Sequence, residues 1–392
     1  MTYSRANQVM ELSSFYSAFN LLVKTAKRTV NSINENPSDI VKFCNTLREA
    51  KNADRRVHII GMGRSGKVGM LIGEILKNIG IKISYLGKSL AKPVRKNDVV
   101  LGITGSGWTK FTINTLQEAI SRGAKILVFT GDNHSLAARL ADSIILIPRG
   151  YIKEKFTPVS HAPLTPVSHA PLTPLGTVFE MTTMLVAIGV ASGLRDESSV
   201  KGFNEGVNEV LRSAEMTLNN IKSNEKPLLQ FINTLESYSN QPRKKLFVYG
   251  SGLDSIIASI SSIRLNHLRI NVKSNYDWRF RKAGDLLIGI SGSGASTSTL
   301  ERVESAKSAD MNIIGLTSFP ESELAEYCDI CLKIEGRSEE VSADLRQISD
   351  LTFLIPAFEY AAAITLDSCV AQLALDLGIT ETEMRDEHAN IE

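Results

Sequence analysis

Short apolar runs and helically spaced apolar positions take turns along nearly the whole chain. Val57, His58, Ile59 and Ile60 make a β-branched run, glycines at 61, 63 and 66 break it, and Val68, Leu71, Ile72 and Ile75 then recur on one helix face. The pattern predicts a strand, a tight turn and a helix in direct succession. Further apolar runs at 82–86, 99–103, 126–130 and 143–147 are separated by helical patterns, which is the rhythm of a parallel βαβ sheet. A second series at 246–249, 271–274, 286–290, 313–317 and 330–334 obeys the same rule. Two longer apolar helical patterns, 176–194 and 355–377, follow the two series. Glu180, Glu359 and Asp367 inside them point to buried core helices and away from membrane spans.

The two series are copies of one unit. Lys245-Leu246-Phe247-Val248-Tyr249-Gly250-Ser251-Gly252 mirrors residues 56–63, and residues 286–296 mirror 99–109, so that Gly61 corresponds to Gly250 and Ser106 to Ser293. Helical segments at 14–52 and 207–237 precede the first strand of each copy. The expected division is therefore 1–206 and 207–392, each part an α/β unit built on a parallel five-stranded sheet flanked by helices.

Charge changes this picture little. With 44 basic against 42 acidic residues in 392, and a formal net charge of +2, nothing favours nucleic acid or a membrane surface as a partner. The amino-terminal residues lack the basic start and apolar core of a secretory signal, so a cytoplasmic location is expected. Cysteines 44, 328, 331 and 369 are too scattered for a disulfide framework, and the Cys328/Cys331 pair has no second pair or histidines to complete a metal site. They read as small core residues. The octapeptide Thr157-Pro158-Val159-Ser160-His161-Ala162-Pro163-Leu164 is repeated at once as 165–172. Its prolines predict an extended, solvent-facing loop, and tandem slippage accounts for His161 and His169 better than a metal does.

Candidate chemistry gathers on the loops after the strands. Gly61, Gly63 and Gly66 let backbone approach a ligand, and the helix that follows offers free N–H groups to an anion. The glycines do not complete a nucleotide fingerprint, and no acidic residue stands where a ribose would need it. Thr104-Gly105-Ser106-Gly107-Trp108-Thr109 again crowds hydroxyls at a helix start, and Ser291, Ser293 and Ser296 repeat this in the second copy. Glu180 and Glu359 each stand in the first turn of an apolar helix. A buried carboxylate there costs several kcal/mol unless it is paired or works as an acid or base.

A glycine turn followed by a (S/T)GSGxT loop resembles the sugar isomerase (SIS) domain, and Gly61–Gly66 with Thr104–Thr109 carry that resemblance. The run Pro174-Leu175-Gly176-Thr177-Val178-Phe179-Glu180 and the ending Glu387-His388-Ala389-Asn390-Ile391-Glu392 further resemble the 6-phospho-3-hexuloisomerases, a family of single SIS domains. The resemblance implies a flavodoxin/Rossmann-like three-layer sandwich in each copy. It also implies interconversion of D-arabino-3-hexulose 6-phosphate and fructose 6-phosphate through a cis-enediol, with no metal or cofactor. Glu180 would be the base and His388 the acid or hydroxyl shuttle, while Gly63, Arg64, Ser65, Thr104, Ser106 and Thr109 would cradle the sugar phosphate. Their second-copy counterparts are Glu359, Ser251, Ser291, Ser293 and Ser296. Because the family assembles as dimers of dimers, a fused chain is expected to form a homodimer.

The copies depart from the family differently. An acidic residue often found in the hydroxyl loop is Trp108 in one and Ala295 in the other, Leu253 and Asp254 replace Arg64 and Ser65, and the histidine tail follows the second copy alone. One competent site is therefore expected, assembled from both copies. Another phosphosugar isomerase (phosphoglucose/phosphomannose or glucosamine 6-phosphate type) and a phosphosugar-binding regulator without turnover remain alternatives.

Overall fold

The computed structural model describes residues 12–150, 176–338 and 355–387. The duplicated octapeptide, with His161 and His169, and the catalytic candidate His388 lie outside the described residues. In the first copy β1 (Arg56–Gly61), β2 (Lys82–Tyr85), β3 (Val99–Thr104), β4 (Lys125–Thr130) and β5 (Ser143–Leu146) form a parallel sheet in the order β2-β1-β3-β4-β5. In the second, β6 (Leu246–Gly250), β7 (Val272–Lys273), β8 (Leu286–Ile290), β9 (Asn312–Thr317) and β10 (Ile330–Lys333) repeat that order as β7-β6-β8-β9-β10. The central strands β3 and β8 are buried at every residue, which is why they read as continuous apolar runs with no alternation.

One polar device ties the lower end of each sheet. Asp98 accepts the backbone N–H of Arg56 at 3.2 Å and of Arg95 at 2.8 Å, and Asp285 accepts those of Lys245 at 2.9 Å and Lys282 at 2.8 Å. Asp98 also lies 3.1 Å from His58 Nε2, and burial pushes that imidazole's pKa down. This histidine is structural.

The helices before the first sheet are α1 (Ser13–Glu35) and α2 (Ser38–Asn52), and those within and after it are α3 (Gly63–Asn78), α4 (Lys110–Ser121), α5 (Leu136–Leu140) and α6 (Thr177–Arg195). Next come α7 (Ser199–Ser223), α8 (Lys226–Ser239), α9 (Leu253–Asn266), α10 (Thr297–Lys307) and α11 (Glu323–Tyr327). The last two are α12 (Ala357–Asp376) and α13 (Glu381–Asp386). Residues of α4 and α5 cover the outer face of the first sheet, where Leu116, Ala119 and Ala137 pack on Val100 and Val128. Residues of α10 and α11 cover the second in the same way, with Val303 and Leu324 on Leu287 and Ile313. Between the sheets, α1, α3, α6, α7, α9 and α12 share a single apolar core with the inner faces of both. The α6 helix is long and apolar enough to cross a membrane, yet 94% of its apolar window is buried inside the protein. It is a core helix.

The expected division at 206/207 falls inside α7, which runs unbroken for 25 residues. Phe203, Val207, Val210 and Ala214 form one buried face that packs on α6 of the first copy and α12 of the second, so no linker separates the halves. The amino-terminal α1 likewise crosses over: the Phe15 N–H donates to Gln372 Oε1 in α12 at 3.1 Å. Cys44 and Cys369 are buried, and Cys328 donates its thiol to the Leu324 carbonyl, with burial pushing its pKa up to about 12.

Candidate active site

Strand register brings the two first-copy loops together. Gly61, the last residue of β1, pairs with Ile103 in β3, so the glycine turn and the Thr104–Thr109 loop leave adjacent strands at the same carboxyl edge. Ligands bind at such an edge in open parallel sheets, where the strand order reverses. The turn demands glycine: a Cβ on Gly66 would sit 2.6 Å from the Gly61 carbonyl oxygen, and Gly63 has a φ of 52°. In the neighbouring loop Gly107 N–H donates to Thr104 Oγ1 at 3.1 Å, Thr104 and Thr109 hydroxyls lie 3.3 Å apart, and Trp108 N–H donates to Ser106 Oγ at 3.1 Å. Trp108, where the family often has an acid, turns its indole N–H to Asp132 Oδ2 at 3.4 Å.

A cavity of about 160 Å³ opens beside the turn, lined by Gly61, Met62, Gly63, Lys67, Lys88 and Phe111 among others. Burial, and then the neighbouring charge of Lys88, push the Lys67 pKa down. The sequence reading missed both lysines and Asp132. Lys67 could have been found from its place directly after Gly66, one turn into a helix whose start was already marked for an anion. A larger groove of about 330 Å³, lined by Lys27, Asn31, Asn208 and Arg212, lies between α1 and α7 and includes none of the loop residues.

Glu180 stands in the first turn of α6, whose entry is set by Gly176 at a φ of 85°. Phe179 packs beneath Gly105, so this helix start abuts the hydroxyl loop. The carboxylate is 6% exposed and lies 2.6 Å from Arg64 Nη1 through Oε2. Arg64 was expected in the anion cradle; its guanidinium is instead buried against Glu180, because a desolvated carboxylate needs a countercharge. Burial, and then Arg264, push the Arg64 pKa down to about 10, and Glu180 opposes them, so the group stays cationic at neutral pH. Arg264 of α9 approaches the same Glu180 oxygen at 3.7 Å, holds Asp367 of α12 at 3.1 Å, and donates to Thr177 Oγ1. Two arginines and two carboxylates from both copies thus form one buried cluster.

The second copy is built alike and furnished differently. Glu359 is paired with Arg337 at 2.5 Å, Ser251 and Ser296 share a hydroxyl contact of 2.5 Å, and Ala295 N–H donates to Ser293 Oγ at 3.3 Å, beside buried Ser291. Asp254, in the place of Ser65, is buried in the first turn of α9 and accepts the Gly292 N–H at 3.4 Å. Burial, and then the charge of Glu359, push its carboxyl well above the usual carboxylate range. Asp254 thus sets a buried carboxyl group against the Gly292 loop, where the first copy has the smaller Ser65. Of the predicted residues, Gly63, Arg64, Ser65, Thr104, Ser106, Thr109 and Glu180 meet at one edge, and Ser251, Ser291, Ser293, Ser296 and Glu359 meet at the other.

An SIS domain model matches residues 51–172 and 241–359. A protein of Aeropyrum pernix is 32% identical over 180 residues, spanning 46% of this chain and 84% of its own length. A 3-hexulose-6-phosphate isomerase of Methylomonas aminofaciens is 28% identical over 171 residues, covering 41% of this chain and 91% of that protein. Among solved structures, tagatose-6-phosphate ketose/aldose isomerase from Escherichia coli aligns with 94% of this chain and 95% of its own at a TM-score of 0.60 and 14% identity, which is a likeness of fold.

Proposed function

The chain belongs to the SIS domain family, and from that premise we propose that it is a phosphosugar isomerase of the 3-hexulose-6-phosphate type. Its substrates would be D-arabino-3-hexulose 6-phosphate and fructose 6-phosphate. The observation that carries this reading is Glu180, a buried carboxylate held by Arg64 at the edge where the glycine turn and the Thr104–Thr109 loop meet. The similarity to the Methylomonas enzyme over nearly that protein's whole length supports it.

In this reading the phosphate rests on the backbone N–H groups of the α3 start and the loop hydroxyls, with Lys67 and Lys88 supplying positive charge. The anchored sugar then presents the carbon beside its carbonyl to Glu180. Glu180 removes that proton, the electron pair forms the enediol, and the same carboxyl returns a proton to the neighbouring carbon. His388 is assigned the transfer of a proton between the two oxygens, for which an imidazole near neutral pKa is suited. The Arg64 and Arg264 guanidinium groups face this carboxylate at 2.6 and 3.7 Å and hold it in place. The second copy, with Asp254 at its helix start, contributes structure and His388 in place of a second working site. The assembled species is a homodimer.

The test is a panel of hexose 6-phosphates offered to the wild-type chain and to Glu180→Gln. Turnover of the 3-hexulose phosphate is expected to fall by about two to four orders of magnitude in the variant. Equal activity in both would remove Glu180 from its role.

A further inference from the structure

We infer that Arg264, carried by the second copy, is a positioning residue for the Glu180 carboxylate of the first. The inference rests on the isomerase reading of that site. Arg264 is fully buried, at 0% exposure, and its guanidinium is spread over three partners: Asp367 in its own half, Thr177 and Glu180 in the other. Its Nε bond to Asp367 fixes the plane of the fork, and the Nη2 end then lies at both the hydroxyl and the carboxylate of the first turn of α6. A planar, permanently charged fork can hold several acceptors at fixed angles, which a flexible ammonium group cannot do.

Among the described residues the arrangement has no reciprocal. At the same distance past the strand-end glycine, α3 carries Ile75 where α9 carries Arg264, and α6 carries Ile188 where α12 carries Asp367. Among the described residues Glu359 therefore receives no such arm from the first copy, and it pairs with Arg337 of its own half. The buried ion cluster points one way, from the second copy into the first. Burying an arginine costs several kcal/mol unless charged partners meet it. A fold that only needed to join its halves could have kept isoleucine at both places, as α3 and α6 do. What the arginine adds is an orientation for the carboxylate, with Arg64 gripping it from the other side.

The experiment compares full-length variants. Arg264→Met, Glu180→Gln and their combination form a cycle in urea unfolding at pH 7, which reads the contact without reference to catalysis. The unfolding constants are expected to be non-additive by about tenfold, within the range for groups in contact. Because Arg264→Met leaves Asp367 buried without a partner, Arg264→Met combined with Asp367→Leu serves as the folded variant for kinetics. With the hexose 6-phosphate that the wild type converts, its kcat should fall by about 10- to 100-fold at nearly unchanged KM, as for small misplacement of a catalytic group. Arg264→Lys should recover part of kcat. An additive cycle overturns the contact, and a folded Met/Leu variant with wild-type kcat overturns the positioning role. Failure of the wild-type chain to convert any hexose phosphate, with the cycle still non-additive, overturns the isomerase reading instead.

Discussion

Replacing Asp254 by Asn should remove a pH dependence from the stability of the whole chain. Burial and the Glu359 charge raise the Asp254 carboxyl well above its ordinary range, so the native state keeps a proton that the unfolded chain releases above pH 4 or so. Each pH unit over which this difference lasts costs about 1.4 kcal/mol of stability. The contribution is fully present below the unfolded carboxyl pKa, is lost as pH rises toward the raised native pKa, and levels off beyond it. An amide presents nearly the same shape and carries no proton to lose. Urea unfolding of wild type and Asp254→Asn, measured from pH 4.5 to 8, should give curves that nearly meet at the acidic end. They should then separate by up to about 1.4 kcal/mol per unit in favour of the variant, groups remote from Asp254 cancelling in the difference while Glu359, which feels its charge, shares in it. Parallel curves would show that Asp254 ionises normally, and the account of a buried, protonated Asp254 would fall with them.

Glu359→Gln should leave turnover within about threefold of wild type, against the two to four orders lost in Glu180→Gln, if the first copy holds the working site; equal losses in steady-state assays would refute that. Lys67→Ala and Lys88→Ala should each raise KM for the sugar phosphate by about tenfold with little change in kcat, and phosphate should compete less well with substrate in both. A Cβ at Gly66 would press on the Gly61 carbonyl at 2.6 Å, so Gly66→Ala should lower stability by about 1–3 kcal/mol in urea unfolding and weaken phosphate binding. Light scattering at micromolar concentration should report twice the 42.9 kDa chain mass, and a monomer would refute the homodimer.

The elements were legible because their causes are local. The fully buried strands β3 and β8 are apolar runs in a row, and the Gly61–Gly66 turn is written in residues that only one backbone path explains. Glu180 could be singled out for the same reason, as a charge inside an apolar helical pattern. Arg264 could not, since in sequence it is one more polar residue of a mixed helix, and its meaning depends on Glu180 arriving from another half of the chain. Arg64 was assigned to the ligand because its partner was invisible. The division at 206/207 came from the repeat, which fixes only where matching segments begin, while the burial of an unbroken α7 on two different helices is a tertiary fact. Lys88 depends on the turn after β2 folding back over α3, which no periodicity reports.

The crossing of α1 onto α12 sets a schedule for synthesis. Phe15 and Gln372 are 357 residues apart, which at about 5–20 residues per second means that α1 leaves the ribosome roughly 20–70 s before its partner exists. Phe15, Phe19 and Leu22, fully or nearly fully buried in the finished molecule, must wait through that interval on α6 and α7 or in the grip of a chaperone. Nascent chains halted before residue 357 would therefore carry an unmet apolar stripe at their amino terminus. The first half, although it is the first to be made and bears Glu180, cannot complete its own core until the last long helix has been translated.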